Sequence, residues 1–167
     1  MQFTNAITID RPVAVVFAFL AQLENLPRWN YAISETRKIS IGPVGASAHY
    51  EQTRTIPTRS TETFEITAYE PDRTLAIRGT FGLLPGRFTY ELEPTDNHTR
   101  LVNTVDLEPS GLFSTVMPPA TSRIKAAVGD NLGLLKQILE SSARDARGTD
   151  PADHWRVSPN SLQAWRA

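Results

Sequence analysis

One amphipathic segment near the C-terminal end constrains the fold of this 167-residue chain more than any other feature. Across residues 110–142, apolar side chains recur at the spacing of one helix face. That face comprises Ile124, Val128, Leu132, Leu135 and Leu139, widened by Ala127, Leu134 and Ile138. Pro118 and Pro119 interrupt the beginning of the segment, so a separate turn or a kink is predicted there. A helix with such a broad apolar face requires a large apolar surface as its partner.

Most of the chain before this helix is predicted to form β-strands. Alternating apolar residues, bounded by Gly, Pro, Asn and Asp, define the strands. The predicted strands are 2–9, 35–41, 48–56, 61–69, 74–81, 87–93 and 99–107. Residues 84–86 (Leu-Pro-Gly) are assigned to one of the intervening turns. Because these turns are short, consecutive strands are expected to pair as an antiparallel meander.

Two short helical segments are predicted between the first and second strands. The first follows Asp10, which we place at the N-cap, and has Pro12 in its first turn. The second covers residues 23–31 and is broken by Pro27. The predicted fold is therefore α+β, with a seven-stranded curved antiparallel sheet wrapped around a long C-terminal helix and two short helices between strands 1 and 2.

The sequence predicts one domain, residues 1–143, followed by a polar tail. Residues 144–167 contain two prolines and lack sustained periodicity, so a flexible segment is expected. Trp155 and Trp165 support an alternative in which the tail docks on the domain or on a partner.

Composition excludes several classes of function. A net charge of -1 and a pI near 6.3 give no reason to expect nucleic-acid or anionic-membrane binding. The absence of cysteine excludes disulfides and thiolate chemistry, and the three histidines lack the spacing of metal ligands, so neither metal nor cofactor is expected. No motif of a serine hydrolase, a phosphate-binding loop or a dinucleotide site is present. With no apolar run of membrane-spanning length and no signal segment, we expect a cytoplasmic protein without stable membrane insertion. Its oligomeric state, monomer or homodimer, is left open by the sequence.

Strand alternation places one set of side chains between the sheet and the long helix. The residues predicted to contact a ligand there are Phe64, Ile77, Phe81, Phe88, Tyr90, Asn103 and Val105, together with Tyr50 and Arg54 from a strand of ambiguous phase. The helix is expected to add Ile124, Val128 and Asn131. Because a buried amide needs a partner, Asn131 is interpreted either as a satisfied core residue or as a ligand contact.

The turn that follows Phe81 is unusually apolar. Residues 81–86 read Phe-Gly-Leu-Leu-Pro-Gly. We predict that they fold over the cavity entrance beside Phe113 and Met117 and act as a gate for an apolar ligand. Met117 is therefore included among the predicted ligand-binding residues.

Four stretches of the chain, taken in order, match a known pattern. They are residues 9–17 (a strand, an acidic residue, Pro, then a Val-Phe helix), 24–29 (Glu-Asn-Leu-Pro-Arg-Trp), 42–45 with 50–53, and 64–71 with 99–101. Together they resemble the START-like (SRPBCC) helix-grip superfamily, and within it the bacterial polyketide cyclase/dehydrase group. The second stretch is similar to a PEN-x-P-x-W segment of that group, with Leu23 where Pro usually stands. The resemblance covers residues 1–142 and implies the helix-grip fold.

The resemblance also implies a cavity, but not one function. Members of the superfamily include aromatase/cyclases, lipid and hormone carriers, coenzyme Q-binding proteins and activators of a chaperone ATPase. The resemblance places Trp29 at the mouth between the short helices and the sheet, where it either lines the cavity or anchors the helices.

A cyclase of this group would use a few polar cavity side chains and no metal or nucleotide cofactor. The candidates here are Arg54, Tyr50 and Tyr90, since an arginine can polarise a carbonyl and a tyrosine can transfer a proton. Alternatively, the tyrosines pack in the core and Arg54 pairs with Glu62 or Glu65.

Three functions follow from these expectations. The first is binding of a small hydrophobic or aromatic molecule, lipid or polyketide-like, in a cavity between the sheet and the C-terminal helix. The second is a cyclase/aromatase-type reaction on a polyketide. The third is a protein-interaction module with a collapsed cavity.

Overall fold

The computed structural model describes residues 1–82, 84–108 and 118–148, with side chains from 121 to 142 in the last range. Strand β1 (Gln2–Ile9) precedes helix α1 (Val13–Ala21), a 3-10 turn (Leu23–Asn25) and helix α2 (Leu26–Trp29). Six strands follow: β2 (Ile33–Lys38), β3 (His49–Arg54), β4 (Ser60–Glu70), β5 (Thr74–Phe81), β6 (Leu84–Thr95) and β7 (His98–Leu107). Helix α3 spans Pro118–Gly148. The predicted number and order of the elements are therefore confirmed.

The seven strands form one antiparallel sheet in the order β1-β7-β6-β5-β4-β3-β2. This is the predicted meander, with β1 added at the free edge of β7. Within it Phe64 lies opposite Gly79, Ile77 opposite Phe88, and Tyr90 opposite Asn103. These pairs place the predicted inward residues of four neighbouring strands on one face. Helix α3 packs against β1 and α2, so the helix-grip architecture is confirmed.

The apolar face of α3 is narrower than the sequence pattern predicted. Leu132, Leu135 and Leu139 are buried, but Leu134 is 38% exposed. The reason is geometric: at 3.6 residues per turn, Leu134 lies about 100° around the helix from Leu135. No described helix combines the length and the apolar character needed to cross a membrane.

The ends of two helices differ from the predictions. Helix α3 begins at Pro118, so both prolines lie in its first turn, where a missing backbone N–H is tolerated. It continues to Gly148, beyond residue 142, where the apolar pattern ended. Asp10 does not cap α1: Pro12 stands at the N-cap without a side-chain hydrogen bond, and the Asp10 carboxylate lies 3.1 Å from His98. The residues from 149 to the end, including both tail tryptophans, lie outside the described residues.

Residues 84–86 belong to β6, and their assignment to a turn was wrong. Pro85 pairs with Thr80, and Gly86 pairs with Gly79. The reversal instead uses Gly82, whose φ of +70° suits glycine. Gly86 is required for packing, because a Cβ there would lie 2.5 Å from a backbone oxygen of β7. Of the segment predicted to act as a gate, Phe81 and residues 84–86 are therefore strand residues, whereas Leu83, Phe113 and Met117 lie outside the described residues.

Candidate functional site

A cavity of about 30 Å³ lies between the concave face of the sheet and α2. Its lining consists of Leu26, Asn30, Gln52, Arg54, Ile77, Phe81, Phe88 and Tyr90. The strand residues reach it because inward side chains alternate along β3, β5 and β6. A cavity of this size has room for about one water molecule.

The structure brings five predicted ligand residues together around this cavity: Arg54, Ile77, Phe81, Phe88 and Tyr90. Leu26, Asn30 and Gln52 were not among the predicted ligand residues. Gln52 could have been found by alternation, since it lies between Tyr50 and Arg54 on one strand face. Leu26 and Asn30 could not, because no periodic pattern orients so short a helical segment.

Aromatic rings form the apolar wall of the cavity. Phe81 meets Phe88 edge-on with ring centroids 4.7 Å apart, and Phe64 lies 6.3 Å from Phe81. Both Phe81 and Phe88 are only half-buried, whereas Phe64 is buried. Trp29 is also buried and contacts Tyr90 edge-on at 6.3 Å. Trp29 therefore anchors α2 against the sheet.

Arg54 and Gln52 form the polar wall, and Arg54 is held there by a buried ion pair with Glu62, which does not itself line the cavity. Arg54 donates from Nε to Oε1 of Glu62 at 2.6 Å and from Nη2 to Oε2 at 3.2 Å. The same carboxylate accepts hydrogen bonds from Gln52 Nε2 at 2.7 Å, from Ser60 Oγ at 3.3 Å and from the Gly82 backbone N–H at 2.5 Å. Only 3% of the Glu62 side chain and 16% of the Arg54 side chain are exposed. One carboxylate thus joins β3, β4 and the end of the β5–β6 hairpin.

The hydrogen bonds keep this carboxylate ionised. Burial alone raises the pKa of Glu62, but hydrogen bonds from Arg54, Gln52 and Gly82, with the positive charge of Arg54, outweigh burial and lower its pKa. Of the two partners that the sequence left open for Arg54, Glu62 is the actual one. Glu65 pairs instead with Arg78 on the outer face, at 2.7 Å.

The two candidate tyrosines are deeply buried phenols. Burial raises the pKa of Tyr50 to about 12, with smaller contributions from Glu24 and Tyr69. Burial also raises the pKa of Tyr90. Both hydroxyls therefore carry their protons at neutral pH and can donate hydrogen bonds. Tyr50 stacks on Phe64 with centroids 5.5 Å apart and does not line the cavity, and its hydroxyl has no partner among the described residues.

The remaining predicted site residues lie outside the cavity lining. Asn103 is fully buried beside Tyr90, and its Nδ2 donates to the Thr89 carbonyl at 3.2 Å. Val105 packs with the half-buried Ile124 and Val128 in a neighbouring apolar cluster. Asn131 is buried, and its Oδ1 accepts a hydrogen bond from the Tyr31 backbone N–H at 3.4 Å. Met117 lies outside the described residues.

A second depression lies on the outer surface, between α1, α2 and the end of α3. It has a volume of about 300 Å³, is open to solvent and contains none of the predicted site residues. Within the described part of the chain, no three His, Asp or Glu side chains are grouped as metal ligands.

Comparison with known proteins places this geometry in context. A family model described as polyketide cyclase / dehydrase and lipid transport matches residues 1–140. No curated protein matches the chain.

Solved structures share the fold at low identity. An aromatase/cyclase, Zhui, from a Streptomyces species aligns with a TM-score of 0.74 and 15% identity over 87% of this chain and 97% of its own. The Thermus thermophilus protein TTHA0849 aligns with a TM-score of 0.70 and 14% identity over 85% and 99%. StfQ, a di-domain aromatase/cyclase from the steffimycin biosynthetic pathway, gives a TM-score of 0.66 and 15% identity over 85% of this chain and 51% of its own.

Proposed function

The chain belongs to the polyketide cyclase / dehydrase and lipid transport family, and from this premise we propose that it binds a small hydrophobic or aromatic molecule in the cavity between its sheet and helix α2. The cavity was predicted to lie against the C-terminal helix, but among the described residues none of those that line it belongs to α3. The single observation that carries the proposal is the composition of the cavity wall. Leu26, Ile77, Phe81 and Phe88 offer apolar contacts, and Arg54 offers hydrogen-bond donors at one end. Apolar walls with a few convergent polar groups are typical of small-molecule sites.

Binding requires that the cavity enlarge from about 30 Å³. Phe81 and Phe88 are the side chains best placed to move, because they are half-buried and lie near the hairpin end. Arg54 and Tyr90 lie on walls fixed by the ion pair and by Trp29. We therefore expect the ligand to displace the two phenylalanines and to keep the polar wall intact.

The test is a titration with phenylnaphthylamine, an uncharged probe that fluoresces in apolar sites, together with native mass spectrometry of the freshly purified protein. We expect saturable binding by the wild type. Ile77→Phe fills the cavity and should weaken binding by about tenfold or more, since overpacking a core position disturbs its neighbours. Ile41→Phe is the matched control, because Ile41 is fully exposed.

Two results would count against binding in this cavity. One is a wild-type protein that neither retains a small molecule nor binds the probe, which would favour the interaction module with a collapsed cavity. The other is unchanged probe affinity in a folded Ile77→Phe variant. Thermal unfolding of each variant establishes that it is folded.

A cyclase/aromatase-type reaction is the second candidate, and one observation favours it. Arg54 and the protonated Tyr90 line the same cavity, so both could contact the oxygens of one polyketide. Arg54 would polarise a carbonyl, and Tyr90 would donate a proton or a hydrogen bond. Conversion of a bound β-polyketone mimic, lost in Tyr90→Phe, would support catalysis. Binding without conversion would leave carriage as the function.

A further inference from the structure

The polar wall of the cavity is charge-balanced before any ligand arrives. The Arg54 guanidinium faces both oxygens of Glu62, with donor–acceptor distances of 2.6 Å and 3.2 Å. A bidentate pair of this kind fixes the plane of the guanidinium. The positive charge of the arginine that lines the cavity is therefore already neutralised by Glu62.

Arg54 cannot leave Glu62 without exposing a buried charge. The Glu62 carboxylate would remain in a site where only 3% of its side chain is exposed. Its other donors come from Gln52, Ser60 and the Gly82 backbone, and none of them is cationic. Removing one partner from a buried ion pair is strongly unfavourable, so the pair should persist when a ligand binds.

One part of the guanidinium is not engaged by Glu62. The hydrogen bonds to the carboxylate use Nε and one N–H of Nη2, which leaves both N–H groups of Nη1 and the second N–H of Nη2 for another acceptor. Arg54 also lines the cavity. A ligand oxygen in the cavity can therefore receive a charge-assisted hydrogen bond while the ion pair stays intact.

From this arrangement we propose that the site selects ligands whose polar atom is an uncharged acceptor, such as a ketone carbonyl, and discriminates against carboxylates. A carboxylate would bring a second negative charge beside Glu62, and it would have to shed its water in an enclosed site. A ligand with a carbonyl group has neither the charge repulsion nor the cost of desolvating a charge. This inference rests on the proposed function, since it concerns the ligand class of the same cavity.

The charge balance can be reversed by one isosteric substitution. Glu62→Gln removes the negative charge and keeps an oxygen that can accept from Arg54 or from Gly82. The guanidinium is then uncompensated, and a carboxylate ligand can take the place of the lost partner. Glu65→Gln is the matched control, because Glu65 lies on the same strand and pairs with Arg78 on the outer face.

The experiment compares acetonaphthone with naphthoate, which carry a neutral ketone and a carboxylate on the same ring position. Each competes with phenylnaphthylamine at neutral pH. We expect the wild type and Glu65→Gln to prefer the ketone by about tenfold or more, since like charges side by side are costly. Glu62→Gln should shift the ratio of the two affinities toward naphthoate by about tenfold or more.

The outcomes separate this inference from the proposed function. Equal or tighter binding of naphthoate by the wild type would overturn the inference and leave the binding function standing. An unchanged ratio in folded Glu62→Gln would also overturn it. If the wild type binds neither the probe nor either ligand and retains no small molecule, the proposed function is refuted and this inference with it. Because the wild-type ratio needs no variant, the test survives a Glu62→Gln protein that does not fold.

Discussion

Replacing both members of the Arg54–Glu62 pair should destabilise the protein less than the two single replacements together. This pair is the most buried of the described ion pairs, with side chains 16% and 3% exposed. We consider Arg54→Met, Glu62→Met and the double variant. Methionine matches the length of glutamate, replaces the aliphatic part of arginine and removes both charges, so the cycle reports mainly on the charge pairing.

The magnitudes follow from what each variant leaves behind. Removing one member of a buried pair costs about 3–5 kcal/mol. Arg54→Met falls near the lower value, because Glu62 keeps hydrogen bonds from Gln52 and Gly82. Glu62→Met falls nearer the upper value, since it leaves the guanidinium and both of those donors without the carboxylate. The double variant buries no charge. Its remaining cost is about 1–3 kcal/mol, because the N–H donors of Gln52 and Gly82 lose their acceptor.

Urea unfolding followed by far-ultraviolet circular dichroism measures the free energy of unfolding for each protein. We expect a coupling energy of about 3 kcal/mol or more, with the double variant at least as stable as either single variant. The exposed pair of Arg78 and Glu65 provides the control cycle, for which about 0.2–1 kcal/mol is expected. Additivity of the Arg54 and Glu62 substitutions within about 0.5 kcal/mol would refute the reasoning.

Three further predictions concern stability, each checked by urea unfolding. Leu135→Ala should lower the free energy of unfolding by about 2–5 kcal/mol, because Leu135 is fully buried. Leu134→Ala, next to it but 38% exposed, should change that free energy by about 0.5 kcal/mol or less. Equal losses would contradict the assigned helix face. Gly133→Ala should stabilise the protein by about 0.5–1 kcal/mol, because the new Cβ in α3 meets no neighbour within 4 Å. Gly79→Ala should destabilise it by about 1 kcal/mol or more, because the new Cβ would lie 2.6 Å from β4. The opposite signs would show that the strand contact is not close. The pKa of Glu62 is lowered from 4.5 in the folded protein, so ionised Glu62 stabilises the fold above that pH, and this stabilisation is lost as the pH falls through the lower folded pKa. In Glu62→Gln this part of the acid dependence of the unfolding free energy should disappear. An unchanged pH profile would assign it to other groups.

The facing of most side chains was predictable from the sequence because it depends on local periodicity. In β4, Phe64 and Ile66 point inward as predicted, and Glu62 shares their parity. Alternation therefore places Glu62 on the inner face and Glu65 on the outer face. The partner of Arg54 still depended on the structure, because the phase of its own strand was ambiguous in the sequence. The apolar repeat of α3 likewise identified Leu132, Leu135 and Leu139 as its buried residues.

The errors arose where composition and tertiary structure compete. Residues 84–86 have the composition of a turn, yet they pair with β5 because Gly82 makes the reversal. Gly86 serves the close approach of β7 instead of a bend. A glycine that permits a turn and a glycine that permits a close strand contact look the same in a sequence, since the difference lies in the neighbour.

By itself the sequence determined the fold class, most of the strand faces and the three buried leucines of the long helix, because these depend on side-chain spacing within one element. Only the tertiary structure decided the size of the cavity, the contribution of Leu26 and Asn30, and the convergence of Gln52, Arg54 and the Gly82 backbone on one carboxylate. These features join segments far apart in the chain. Their positions depend on the curvature of the sheet and on how α2 packs against it, and no local pattern encodes either quantity.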